Sequence, residues 1–385
     1  MSIFSKVTSG TRPRIGVDFH TYDGIFQGSR SHVLGLFSEV IRLAPNFDFV
    51  FFLENTEDLV KKYPIFNANN VTLVKMRHMP GLVRLVVQLP WLRWRHKIDL
   101  LHLQYRVPPL AAGPCACTIH DVLFENYPQY FGKAFVIQSR ISFRFAAKRA
   151  ALLFSVSEFS RNDICVNYGV AKEKVTVIYN AYDKARFFPG EKGKDVVISY
   201  DLEPGNYILT VGRLEPRKNH TNIFRAYAML GKDAPPLVVV GQRDFGYEGM
   251  QALVESLGIQ EKIRFFNSVG DDELPAIMRH AKLFVFPAFA EGFGMPVIEA
   301  MASGTAVITS NTTSLPEVAG NAAAFVDPYN HIDIGTSMRD LLADDAYRGS
   351  LVEAGLLQVK RFDWLESATK LVRTYEAYFG LKSTV

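Results

Sequence analysis

The sequence predicts two α/β domains, each a parallel sheet with helices packed on its faces. Three observations carry that expectation. Short apolar runs of strand length alternate with amphipathic stretches of helix length along the chain, the pattern of parallel strands joined by crossover helices. The alternation breaks once, over residues 183–206, a charged segment punctuated by Gly and Pro that reads as a linker. And 385 residues are more than one ordinary core organises.

Taken in order, residues 15–19 read as the first strand. Residues 29–43 follow as an amphipathic helix, with Val33, Leu36, Phe37, Val40 and Ile41 on one face. Further strands are expected over 47–53, 71–76, 98–103, 115–119, 152–156 and 175–178. The helix after Ser157 begins on a side chain suited to capping and closes at Gly169. This series forms an expected domain 1–190. A second series, over 207–212, 236–241, 262–266, 282–287, 305–310 and 322–326, forms an expected domain 191–363. A helix over 364–379 closes the chain within the terminal segment 364–385.

The composition, 48% hydrophobic and 21% charged, is that of a soluble globular protein, and no run approaches the roughly 18 apolar residues of a membrane span. The start, MSIFSKVTSGTRPR, lacks the apolar core of a signal peptide, so a cytoplasmic location is expected. Three cysteines are too few for a disulfide frame or a cysteine-based zinc site. Charge is unevenly divided. Residues 1–190 carry 24 Lys+Arg against 14 Asp+Glu, or +10, and residues 191–385 carry 19 against 25, or −6. A basic first half predicts an acidic partner there. Residues 82–97 and 131–150 interleave aromatic and aliphatic side chains with cations. Two readings stand for them: packed helices with a solvated basic face, or helices lying in the interface of an anionic membrane, such as the cytoplasmic face of an inner membrane. No motif for nucleic acid accompanies the charge.

The chemistry concentrates at residues 291–299, EGFGMPVIE, between an apolar strand and a helix with Pro296 near its start. Backbone N–H groups and the positive end of a helix dipole favour an anion in such a loop, and Gly292 and Gly294 let a ligand approach the backbone. Glu291 and Glu299 flank the loop; carboxylates repel phosphate, so their partners are hydroxyls. Phosphate at the helix start with polyol on either side describes a nucleotide sugar. Arg213 and Lys218 follow directly on the strand end at 207–212, where open α/β sheets bind ligands, and two cations there suit a pyrophosphate on which charge develops.

GRLEPRKN, FNSVGDDELPAIMRHA, FVFPAFAEGFGMPVIEAMASGTAVITSN and SLPEVAGNAAAFVDP resemble the donor domain of glycosyltransferase family 4, which has the GT-B fold. The resemblance extends to TIHDV at 118–122, SVSEFSRNDI at 155–164 and VIYNAYD at 177–183. It implies two Rossmann-like domains facing across a cleft, with the last helix crossing back to the first domain. Arg213 and Lys218 would contact the donor diphosphate. Glu291 would hold hydroxyls of the transferred sugar, with the backbone of Phe293, Gly294 and Met295 assisting. Glu299 would accept from the ribose, and Asn267 to Val269 would flank the base. His120 would serve as the catalytic or orienting histidine beside the sugar. Where many relatives carry a Gly-Gly turn after the first strand, this chain has HTYDGIFQGSRSH, so Gly28 is the remaining glycine for donor phosphate, with Arg30 and His32 adjacent.

The expected activity is therefore retaining hexosyl transfer from a nucleotide-diphosphate sugar, GDP-mannose first, to a glycan or lipid-linked acceptor in bacterial surface polysaccharide assembly. UDP- and dTDP-sugars are the alternative donors. No D-x-D motif is present, so neither a metal nor another cofactor is expected, and a monomer or loose dimer is. An oxidoreductase is disfavoured because neither first strand leads into G-x-G-x-x-G. A sugar-nucleotide epimerase of the same fold and a two-lobed solute-binding protein are the remaining rivals.

Overall fold

A computed structural model describes residues 12–24, 28–109, 113–243 and 247–385. Its contacts divide the chain into two units, one of residues 1–181 with 362–385 and one of 182–361. Among the described residues thirteen strands form two all-parallel sheets, and each overlaps a run expected from the sequence.

In the first unit the strands are β1 (Arg14–Asp18), β2 (Asp48–Leu53), β3 (Val71–Lys75), β4 (Leu100–Gln104), β5 (Cys115–Thr118), β6 (Leu152–Ser155) and β7 (Val175–Val177). They lie in the order β3-β2-β1-β4-β5-β6-β7, with Ile15 opposite Phe49 on one side and Leu100 on the other. The order turns between β1 and β4, the kind of switch point beside which α/β sheets bind ligands. The helix Gly28–Leu43 buries Val33, Leu36, Phe37, Val40 and Ile41 against Phe19, Phe51 and Phe66 on one face of the sheet. Leu89, Leu92, Val136, Phe143 and Ala147 form the core on the other. The helix Glu158–Tyr168 starts at Ser157, whose side chain accepts from the Ser160 N–H at 3.0 Å, and stops at Gly169 with φ 64°.

The terminal helix Trp364–Phe379 also belongs to this unit and packs along Gly28–Leu43. Its buried Tyr375 meets His102 Nδ1 at 2.5 Å, and Ser367 donates to the Tyr179 carbonyl at 2.8 Å. Gly35 is the close approach: a Cβ there would overlap the Trp364 indole.

The second unit has β8 (Ile208–Val211), β9 (Leu237–Val240), β10 (Ile263–Phe266), β11 (Leu283–Phe286), β12 (Ala306–Ser310) and β13 (Ala324–Val326), in the order β10-β9-β8-β11-β12-β13. Every strand in both sheets pairs in parallel, which requires covering helices on the faces. The segment read from sequence as a linker is ordered and packed. It contains the helix Lys194–Ser199, and the Arg279 guanidinium donates to the carbonyls of Arg186, Phe188 and Lys192 at 2.6 to 3.1 Å. A buried arginine satisfied by three carbonyls ties residues 186–192 to the second unit, so the division falls at 181/182 and not at 190/191.

Candidate active site

The second unit gathers the residues expected of a donor site after the carboxyl ends of β8, β10 and β11. After β8 the chain turns through Arg213 into the short 3-10 turn Pro216–Lys218, and Asn219 adopts a left-handed conformation with φ 64°. Asn219 is buried and donates from Nδ2 to the carbonyls of Pro287 at 2.8 Å and Pro328 at 2.7 Å. One amide thus holds the loops after β8, β11 and β13 together. A second tie runs from the Phe289 N–H to the Arg217 carbonyl at 2.9 Å.

These ties set Glu291 against two cations. Its Oε1 is 3.1 Å from Arg217 Nη1 and bonds Lys218 Nζ. Arg217 also donates to the Ala290 carbonyl at 2.6 Å and pairs with Glu215 at 2.7 Å. Glu291 is buried. Burial pushes its carboxyl up, and Arg217 and Lys218 more than offset that, leaving it below the ordinary carboxylate range. Burial lowers the Lys218 ammonium despite the opposing pull of Glu291, and its Nζ lies 5.1 Å from the Phe286 ring centroid. Backbone bonds complete the frame: the Glu291 N–H donates to Thr313 Oγ1 at 3.1 Å and Ser314 Oγ donates to the Glu291 carbonyl at 2.8 Å.

Three residues on, Gly294 has φ 100° and leads into the helix Met295–Ala302, with Pro296 in its first turn. A Cβ on Gly294 would lie 2.6 Å from Leu315 Cδ2, so both backbone angle and packing require glycine here. Phe293 is buried behind the turn. Glu299 lies one turn into the helix and is half-buried. Burial drives its carboxyl up to about 7, with Arg186 pulling it down and Asp183 adding to the rise.

Sequence reasoning singled out Lys218 and Glu291, and the structure brings them into contact. Arg213 stays exposed on the loop after β8. Asn267 follows β10 and accepts from Arg243 Nε at 3.1 Å, with Val269 half-buried two residues on. Arg217 and Asn219 were missed: in GRLEPRKN a second cation and an asparagine look like solvated loop residues, and only the fold shows them aimed at Glu291 and two carbonyls. Among the described residues no cluster of His, Cys, Asp and Glu has the makings of a metal site.

In the first unit His120 lies just past β5, buried, with Nε2 2.7 Å from Gln104 Oε1. Its ring packs edge to face on His32 at 4.7 Å and lies 4.9 Å from Tyr105. Burial, then His32 and His102, hold it well below the usual imidazole range; burial takes His32 to about 4 and His102 to about 3. All three are neutral at physiological pH. Gly28 is the first residue of its helix; residues 25–27 of the loop leading to it lie outside the described residues.

Cations and helix-start N–H groups beside a buried carboxylate, on one of two parallel-sheet units, have the chemistry to suit an anionic, hydroxyl-rich ligand, and the architecture is that of GT-B glycosyltransferases. The comparisons give the same class. Residues 28–186 match the model described as Glycosyltransferase Family 4, and residues 199–357 match Glycosyl transferases group 1. O-antigen chain mannosyltransferase B of Escherichia coli is 34% identical over 264 residues, 67% of this chain and 69% of that protein. The serotype-specific mannosyltransferase WbdA of Escherichia coli is 30% identical over 265 residues, 66% of this chain, but the chain spans only 32% of WbdA. Sucrose-phosphate synthase from Thermosynechococcus elongatus superposes with a TM-score of 0.79 at 18% identity, over 96% of this chain and 100% of that one, a likeness of fold. The chain belongs to glycosyltransferase family 4, and it is a glycosyltransferase.

Proposed function

We propose that the protein is a retaining, metal-independent mannosyltransferase that carries mannose from GDP-mannose to a glycan or lipid-linked acceptor of a bacterial surface polysaccharide such as O antigen. The observation that carries the reading is the Arg217–Lys218–Glu291 cluster beside the start of the Met295–Ala302 helix, in a chain whose relatives include O-antigen chain mannosyltransferases.

In this reading the second unit binds the donor. Arg213, Arg217 and Lys218 neutralise the diphosphate as it leaves, the service a metal ion performs elsewhere. Backbone N–H groups at Gly294 and Met295 take phosphate or sugar oxygens. Glu291 takes hydroxyls of the transferred hexose, Glu299 takes the ribose hydroxyls, and Asn267 and Val269 flank the base. The acceptor hydroxyl attacks on the face from which the phosphate departs, and the phosphate takes its proton, so configuration is retained. The first unit holds the acceptor and supplies His120, and Gly28 keeps the donor-phosphate role that the family resemblance implies.

The test is calorimetry and thermal shift against GDP, UDP, dTDP and ADP and their sugar conjugates, with EDTA present, followed by mass spectrometry of glycan products. Stabilisation by GDP and GDP-mannose with mannosyl transfer is the expected result. Selective binding of UDP or dTDP would replace the donor while leaving the class, and transfer abolished by EDTA would end the metal-independent reading.

We further infer that the first unit rests on an anionic membrane. Val83, Val87, Trp91 and Trp94 follow helical spacing on the solvent side of residues 81–95, with Trp91 55% and Trp94 76% exposed, while Leu89 and Leu92 face the core. Ile137 and Ile141 are exposed on the helix Lys133–Arg149. Neither 81–97 nor 133–149 contains an acidic residue, and Arg95, Lys97, Lys133, Lys148 and Arg149 are exposed. Each such cation contributes about 1 kcal/mol near anionic lipid. Co-sedimentation with phosphatidylglycerol vesicles and not with phosphatidylcholine, lost when Trp91 and Trp94 are both changed to Ser, is the expected outcome; equal binding to both lipids, or none, refutes it. No helix among the described residues is long and apolar enough to cross a membrane.

A further inference from the structure

His120 is oriented by an amide. Its Nε2 lies 2.7 Å from Oε1 of Gln104, the last residue of β4, opposite Thr118 in the sheet. An amide oxygen only accepts, so the neutral imidazole donates from Nε2 and its lone pair sits on Nδ1. The arrangement is repeated beside it. His32 Nδ1 lies 2.7 Å from Asn180 Oδ1, which places the His32 lone pair on Nε2.

Two polar atoms are left over next to His120. His32 Nε2 and Gln104 Nε2 are buried and have no hydrogen-bond partner among the described residues. One is an acceptor and the other a donor, and a hydroxyl group is both. Unsatisfied buried polar atoms are costly, and two of complementary kind flanking one histidine point to a polyol ligand.

A histidine that serves as a general base is commonly backed by a carboxylate, which stabilises the imidazolium as it forms. Here the groups facing the His120 ring are neutral: His32 from the first helix, Gln104 from β4, and Tyr105. His102, further along β4, is neutral as well. Asp121, next in sequence, accepts from the Leu123 N–H at 3.2 Å. We propose that Gln104 is a positioning residue that locks His120 as its Nε2–H tautomer, so that Nδ1 accepts a hydrogen bond from a sugar hydroxyl and orients it without taking its proton. The proton then goes to the leaving phosphate oxygen as the acceptor oxygen forms its bond to the anomeric carbon and the bond to that phosphate oxygen breaks. The inference rests on the glycosyltransferase reading of this site and adds to it the group that sets the state of His120.

The test reads the tautomer directly. Protein labelled with nitrogen-15 in histidine is examined by long-range proton–nitrogen correlation, with His120 assigned through His120→Gln. The expected result is a protonated Nε2 and no titration between about pH 6 and about pH 8. In Gln104→Leu the tautomers should mix, and turnover should fall about tenfold, the effect of one neutral hydrogen bond, with donor KM within about twofold. Gln104→Glu should bring the His120 titration into the measured range. A wild-type proton on Nδ1, an unchanged tautomer in Gln104→Leu, or full turnover in that variant overturns the proposal. Because the tautomer is read on substrate-free protein, a mistaken donor assignment would leave that arm unaltered and show only in turnover.

Discussion

Glu299→Gln should make the protein more stable and bind its donor less well, and the two effects have one cause. In the fold, burial lifts the Glu299 carboxyl from 4.5 to about 7. That displacement corresponds to about 3 kcal/mol of cost for keeping the charge in place, an upper figure for a half-buried group. Between those two values the folded protein binds more protons than the unfolded chain, so the unfolding free energy falls as pH rises through the interval and the cost is complete above about 7. Gln has nearly the same shape and no charge. The variant should therefore match the wild type near pH 4.5 and exceed it by up to about 3 kcal/mol near pH 8. Hydroxyls that donate to a carboxylate favour its ionised form, so wild-type affinity for a nucleotide should rise with pH through about 7. The variant should lose that dependence and about 1.5 to 3 kcal/mol of affinity with it. Urea titrations at the two pH values, with calorimetry against GDP, measure both. A variant less stable than wild type near pH 8, or a stability difference that does not change with pH, would refute the reasoning.

Glu291→Gln should abolish transfer while keeping nucleotide binding, read by turnover and calorimetry; it should also cost about 3 to 5 kcal/mol in urea titration, because Arg217 and Lys218 lose the anion that balances them. Arg217→Ala should reduce turnover at least as much as Arg213→Ala, by about 2 to 4 kcal/mol in transition-state terms, since Arg217 is fixed to the Ala290 carbonyl; an active Arg217→Ala enzyme would remove it from the site. Gly294→Ala should destabilise by about 1 to 3 kcal/mol and weaken diphosphate binding, because its φ of 100° and its contact with Leu315 both exclude a Cβ; unaltered calorimetric affinity would show that the turn does not carry the phosphate. Gly35→Ala should lower the melting temperature by forcing Trp364 off the first helix, and an unchanged melting curve would deny that packing.

The parallel sheets and the glycine turn before the helix Met295–Ala302 were legible in the sequence because their causes are local. Strands such as LVVV at 237–240 and LFVF at 283–286 are buried on both faces and so are apolar at every position. The helix Gly28–Leu43 shows its single buried face as a 3.6-residue period. Gly294 is forced by a backbone angle, and Ser157 and Gly169 by the capping needs of one helix. A residue chosen for such a reason can be read without knowing its neighbours.

Other features were set by partners far away in the chain. Arg217 and Glu291 are 74 positions apart, and Asn219 and Pro328 are 109; nothing local separates them from solvated loop residues. The segment read as a linker is held by Arg279, whose three carbonyl partners lie near 190. Gln104 and Asn180 look like ordinary polar residues until the sheet brings each within 2.7 Å of a histidine. By itself the sequence determined the two sheets, the helix-start turn at Gly294 and the candidate charges. Only tertiary structure decided which charges meet, which carboxyl is lifted toward neutrality and which tautomer His120 holds, because burial and pairing depend on groups that the chain brings together only by folding.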